Sequence, residues 1–424
     1  MTSPSRTPGA PRKPALGFIF ITLFLDVLGI GIVVPVLPDL VGSLYQGSKA
    51  EAAVVYGLLV ALYCLAQFLC APLLGTLSDQ IGRRPVILWA LFGAGLDYFL
   101  LAWAPSLIWL VAGRIIAGAT GANFSAATAY IADISPPEKR AANFGIIGAA
   151  FGLGFSIGPA LGGIIGEIGP RLPFIVAGCL VMLNCLYGFL ILPESLKKEN
   201  RRKFEFKRAN PIASMNGLRR SKLIFGMSTA HFIYNIAHYV FQSVWVLYTG
   251  HKLGWSPLDV GISLAVVGIM SAIIQGFVGR KLLPIIGERK ALKIGLLIMA
   301  AELVGFGMAS ESWMMYALIV FGSISGIAGP AMQGLISRNI PDDEQGWIQG
   351  ALTSLSSLAG IFAPPLLTGI FGYFISKNAP IELPGAPFFF SSVLVIVVWI
   401  ISMKSVKPGE KLTDPIPEKP SESD

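Results

Sequence analysis

From Gly17 onward the chain alternates long apolar runs with short breaks rich in Lys, Arg, Gly and Pro. The runs are each about 20 residues long, the length a helix rising about 1.5 Å per residue needs to cross a hydrocarbon core about 30 Å thick. Reading runs against breaks predicts twelve spanning helices, near 17–38, 54–77, 86–104, 107–131, 142–165, 173–192, 223–248, 258–278, 291–309, 314–337, 347–373 and 386–403. The expected fold class is an all-α membrane protein. Arg6, Arg12 and Lys13 precede the first run and imitate the basic end of a secretory signal. No small-residue cleavage site comes before the next polar break, so the run reads as a retained first helix.

Composition agrees with that pattern. Of 424 residues, 54% are hydrophobic and 13% charged, whereas soluble domains carry about 25% charged residues. Charge placement supplies the orientation. Only Lys49, Arg171, Lys252 and Lys377 fall in breaks after odd-numbered spans, and Arg114 lies inside the fourth span; every other Lys and Arg falls on the opposite side. Positive loops stay in the cytoplasm, so both termini are expected there. The same asymmetry accounts for the net charge of +8, and no nucleic-acid partner is needed to explain it. Cys64, Cys70, Cys179 and Cys185 sit in apolar spans without ligand spacing, and there are three histidines. No metal or cofactor is expected. Neither a nucleophile with its base nor a phosphate-binding glycine loop is visible, which argues against an enzyme and against ATP-driven pumping.

The chain also reads as written twice. One constant offset pairs Gly82 with Gly287, Gly121 with Gly326, Pro136 with Pro341, Gly145 with Gly350 and Pro159 with Pro364. It also sets Asp97 on Glu302 and Asp26 on His231. The layout implied is two pseudo-symmetric bundles of six helices, 17–193 and 223–404. They are joined by a basic linker, 194–222, and flanked by an N-terminal segment, 1–16, and a tail, 405–424, whose Pro, Glu, Lys and Ser content reads as disordered.

GTLSDQIGRRP, from Gly75 to Pro85, resembles the signature that the major facilitator superfamily carries between helices two and three. A degenerate copy runs from Gly279 to Leu292. DVLGIGIVVPVLP from Asp26, GRIIAGATGANFSAATAYIAD from Gly113 and GLGFSIGPALGG from Gly152 resemble motifs of its twelve-span drug/proton antiporters. LDYFLLAW around Asp97, VWVLYTGHKLGW around Trp245 and PAMQGLISR around Gln333 are similar to the tetracycline/proton antiporter branch. The resemblance implies a secondary active transporter in the bacterial inner membrane. It would export amphipathic small molecules, tetracyclines among them, against protons by alternating access, as a monomer whose partners are substrate, protons and lipid. Two positions depart from the branch: Ser271 stands at its helix-eight histidine and Met299 at its helix-nine acid. Uptake by symport or facilitation would use the same fold. A receptor or scaffold would carry a large extramembrane domain, and the loops here are short.

An ionised group in mid-span costs roughly 2.5–3.5 kcal/mol, so each one needs a reason. Asp26 and Arg114 read either as a protonatable carboxylate beside a fixed cation or as a permanent ion pair between helices one and four. Asp97 and Glu302 are proton-coupling candidates too, or else support for the bundle's periphery. Ser228, His231, Asn235, His238 and Gln242 fall on one side of span seven and read as a chamber lining, with imidazoles that ordinarily titrate near neutral pH; the competing reading is hydrogen bonding between helices. Gln67, Asn123, Ser271, Gln275 and Gln333 are weaker lining candidates. Gly154, Gly158, Pro159, Gly162 and Gly163 permit close helix approach and a bend, and the resemblance adds a seam that limits leak. Gly75, Asp79, Gly82, Arg83 and Arg84 are read as a gate, with the charges latching to the acidic stretch 341–345 before helix eleven.

Overall fold

In a computed structural model the described residues are 16–121, 123–136, 140–202, 218, 222–274, 285–338, 340 and 345–405, and they contain helices and no strand. The first half runs α1 (Leu16–Val33), a short α2 (Leu37–Leu44), α3 (Lys49–Ile81), α4 (Arg83–Ala102), α5 (Leu107–Thr120), α6 (Asn123–Ile134), α7 (Arg140–Ile168) and α8 (Leu172–Ile191). The second half runs α9 (Lys222–His238), α10 (Val240–Ser243), α11 (Trp245–Lys252), α12 (Pro257–Ile273), α13 (Glu288–Met308), α14 (Ser312–Gly322), α15 (Ala328–Arg338), α16 (Gln345–Ile375) and α17 (Ala386–Ser405). Caps fix several starts. Ser48 and Glu51 close a reciprocal capping box at α3, and Ser256 and Asp259 do the same at α12.

Ten stretches among the described residues are long and apolar enough to cross a membrane, with α5–α6 and α14–α15 each counted as one. Expected spans seven and eight are not among them. Span seven is three helices in a row, interrupted at Tyr239 and Val244, and α12 is followed by residues 275–284, outside the described set. The fourth and tenth spans break at corresponding places. α5 ends against Gly121, and α14 passes into α15 through a 3-10 stretch, Ser323–Ile327, that contains the paired Gly326.

Buried apolar side chains form two clusters. One draws on residues from Ile19 to Leu192, the other on residues from Leu218 to Val398 plus Ala53. In the first half α1 packs on α7 and α8, α4 on α8, and α3 on α5; in the second, α17 packs on α9 and α13, and α13 on α15. The halves meet along two seams, α7 with α12 and α3 with α16. A Cβ on Gly163 would lie 2.5 Å from the Pro257 carbonyl oxygen, and one on Gly372 would lie 2.6 Å from that of Ala50. Gly57 faces Pro364 and Thr368, and Gly268 faces Ser156. These contacts run from mid-span toward the ends remote from Arg83 and Arg84. Toward the basic ends, Gly145 and Gly148 of α7 and Gly350 of α16 face open space.

Two basic residues at the ends remote from Arg83 and Arg84 have local reasons to be there. Arg171 donates to the carbonyls of Ala102 and Ala104, at 3.3 and 3.0 Å, at the end of α4. Lys252 donates to the Gly307 carbonyl at 3.0 Å near the end of α13. Helix C-termini present unpaired carbonyls and partial negative charge, so a cation at that end is favoured.

Packing at the α7–α12 seam predicts that Gly163→Ala costs about 1–3 kcal/mol, because the atoms in the way are backbone and cannot swing aside. Thermal unfolding of the purified protein in detergent should show a lowered midpoint for G163A and an unchanged one for G145A, whose site is open.

Candidate functional site

Two charges meet inside the first half. Arg114 Nη2 of α5 lies 3.1 Å from Asp97 Oδ2 of α4, with the two side chains only 12% and 1% exposed. Gly113 brings these helices together: a Cβ there would fall 2.5 Å from Asp97 Oδ1. The bond therefore ties the third span to the fourth, while the sequence had singled out Asp26 of the first span as the partner of Arg114. Asp26 is buried in the same neighbourhood. Tyr63 and Tyr98 lie close enough to Asp26, Asp97 and Arg114 to feel all three charges. The pair is incompletely bonded. Asp97 Oδ1 and Arg114 Nε are buried with no hydrogen-bond partner among the described residues. Buried ion pairs repay their desolvation only when the remaining donors and acceptors are satisfied, so hydration or protonation can rearrange this one.

Glu302 occupies the corresponding depth of the second half with different partners. Ser325 Oγ of the 3-10 stretch donates to its Oε2 at 2.9 Å, and Tyr234 of α9 lies within electrostatic reach. Where the repeat would place a second arginine stands Ile319, buried. One half holds its acid with a cation, the other with a hydroxyl. Met299, one turn earlier, is buried in the core.

The polar stripe of span seven splits. Ser228 and His231 are buried, and His231 Nε2 makes a 3.0 Å hydrogen bond with Ser356 Oγ of α16. Asn235 turns back on its own helix, donating to the His231 carbonyl at 2.8 Å. His238 and Gln242 are exposed, and the His238 ring packs between Tyr234 and Phe241. The helix breaks at Tyr239, where the Gln242 N–H bonds the Tyr239 carbonyl, three residues back. A shortened repeat turns later residues away from an ideal helical face.

The weaker candidates divide as well. Gln67 Nε2 donates to the Gly121 carbonyl at 3.2 Å, securing the break between α5 and α6, and to Tyr63 Oη at 3.3 Å. Ser271 is half-buried and Gln333 exposed. Gln275 and the side chain of Asn123 lie outside the described residues. In the antiporter motif, Gly154, Gly158 and Gly162 press on α1 and Gly163 on α12, with the Pro159 ring against Gly31. The motif helix is thus gripped from both sides.

On the basic side, Arg83 gathers the short loop between α3 and α4. Its guanidinium reaches Asp79 at 2.5 Å, Ser78 Oγ at 2.6 Å and Asp133 of α6 at 3.2 Å. Arg84 donates to the Phe189 carbonyl and stacks over the Phe189 ring. Gly75 approaches only Ser125. The expected partners before helix eleven, residues 341–344 and the side chain of Gln345, lie outside the described set. Sequence reasoning missed Asp133, although it ends the helix-four motif, and missed Glu194, whose carboxylate binds the backbone at Arg83. In the second half the ion pair has its polarity reversed: Arg338 Nε bonds Glu288 at 3.1 Å, at the positions that the repeat matches to Asp133 and Arg83.

The family model described as Major Facilitator Superfamily matches residues 19–364. Tetracycline resistance protein, class C, of Escherichia coli is 41% identical over 360 residues, 84% of this chain and 89% of that protein. The class D protein of Salmonella ordonez is 39% identical over 361 residues, 85% and 90% of the two chains. A crystal structure of a bacterial homolog to the human lysosomal transporter Spinster, 16% identical, shares the fold at a TM-score of 0.72 over 92% of this chain and 96% of that one. Helices gathered in two buried clusters, opposing charges buried in mid-span and this similarity along the chain agree: it belongs to the Major Facilitator Superfamily, in the branch of the tetracycline resistance proteins.

Proposed function

We propose that the protein exports tetracycline-like amphipathic molecules in exchange for protons, by alternating access across the inner membrane of a bacterium, with its basic side and both termini in the cytoplasm. The observation that carries this is the Asp97–Arg114 pair, buried yet incompletely bonded, beside a buried Asp26. A carboxylate held by a cation gives up that contact when protonated, and rocking of the halves alters the hydration that decides its state. Moving one charge through 100 mV releases about 2.3 kcal/mol before any pH difference is added, enough to drive concentration of a drug. Glu302, held by a hydroxyl, is the second proton candidate.

In this reading the substrate enters from the cytoplasmic side and meets the exposed His238 and Gln242 in mid-span. His231 and Asn235 support that face from the helix interior. Gln67 secures the break in the fourth span. The gripped helix α7 forms the dry seam, and Arg83 with Asp79 and Asp133 forms the gate. The protein works as a monomer, since substrate, protons and lipid suffice for the cycle.

Everted vesicles containing the wild-type chain should release protons when tetracycline is added, and D97N should reduce that release at least about tenfold, as expected for loss of a group that acts in the coupled step. Vesicles in which no drug ever moves protons would remove antiport as the mechanism. For substrate contact, H238A should raise the apparent KM for tetracycline severalfold with maximal rate retained, the signature of lost ground-state binding; an unchanged KM would take His238 out of the site.

A further inference from the structure

Glu194 follows the end of α8, and its carboxylate is engaged by four backbone donors. Oε1 accepts from the N–H groups of Arg83 at 2.9 Å and of Ser195 and Leu196, each at 3.0 Å. Oε2 accepts from the N–H of Arg84 at 3.3 Å. Arg83 and Arg84 open α4, whose first turn has no acidic residue of its own. The first N–H groups of a helix lack internal partners and carry partial positive charge, so an anion there is favoured. This helix receives its anion from a residue more than a hundred positions away.

Gly82 makes the approach feasible. Its φ of 112° reverses the chain between α3 and α4, a conformation that side chains resist. A Cβ at that residue would also fall within 2.8 Å of the Glu194 carboxyl carbon. Further bonds extend the attachment. Ser195 Oγ donates to Asp133 Oδ2 at 2.9 Å, the same oxygen that receives Arg83 Nε. The N–H of Arg202 donates to the Asp79 carbonyl at 3.0 Å, and Tyr130 Oη to that of Pro193 at 3.0 Å. The segment leaving α8 is strapped along the α3–α4 junction, Asp79–Arg84.

We infer that Glu194 is a positioning residue for transport. Its carboxylate fixes the start of α4 so that Arg83 can reach Asp79, Ser78 and Asp133, and it ties the root of the linker between the halves to that loop. The inference rests on the reading of the loop as a gate. Without the carboxylate the first turn of α4 frays, Arg83 loses its fixed origin, and the segment 194–202 is no longer held to the start of α4. The interconversion of states is affected, and the affinity for substrate is not.

Two measurements on the full-length protein test this. In hydrogen exchange, amides of the segment Asp79–Leu88 should exchange about tenfold faster in E194A than in wild type, with E194Q intermediate because its amide oxygen still accepts, and E199A unchanged. In vesicles, E194A should lower the maximal rate of tetracycline-driven proton release about tenfold with KM within twofold, and E194Q should recover part of it. Unaltered exchange in E194A would overturn the inference. So would faster exchange accompanied by a normal maximal rate, or by a raised KM with the maximal rate kept. A wild-type chain that moves no tetracycline would count against the preceding proposal instead, and the exchange measurement would still decide this one.

Discussion

Everything in this protein is arranged around the cost of holding an arginine and its acid inside lipid. Arg114 has no route to water along its own helix, since it sits about two turns inside α5, or roughly 10 Å. Its charge is tolerable only because Asp97 meets it across a helix contact that Gly113 makes close. That contact forces α4 and α5 together. The third and fourth spans therefore cannot drift, Tyr63 and Tyr98 are drawn into the polar neighbourhood, and the break at Gly121 falls where Gln67 can secure it. A bundle of purely apolar helices would have no such preference for one rotation of each helix, because lipid tails are as apolar as leucine.

The two halves repeat a backbone plan and vary its chemistry. Glycines at positive φ begin the third and ninth spans, Gly82 and Gly287, and the fourth and tenth spans break at the paired Gly121 and Gly326. An acid is kept at the paired position in both, buried at Asp97 and half-buried at Glu302, yet Arg114 has Ile319 opposite it in the repeat, and Glu302 is served by Ser325. A permanent cation beside one acid and a hydroxyl beside the other give the two carboxyl groups different responses to hydration. The frame repeats, and the partner of the acid inside it differs between the halves.

Much of this was readable from the chain. Run length is a local property, so the spanning helices follow from hydropathy alone, and ten of them stand among the described residues. The acids and the arginine stood out because lipid makes them expensive. Their pairing did not, since the choice between Asp26 and Asp97 depends on helix rotation, and no periodicity records that. The stripe of span seven was drawn on an ideal helix, and the break at Tyr239 divided it. Glu194 was invisible for another reason: it binds N–H groups, which every residue has, so no side-chain pattern marks its partners.

The reversed ion pairs on the basic rim have a further consequence. Arg83 closes on Asp133 within the first half and Arg338 on Glu288 within the second, so each pair satisfies itself. An unaltered duplicate would have carried the same order of charge at both places. Inverting one copy keeps each pair neutral and points its dipole the other way, so the two halves do not present a passing ion with the same field.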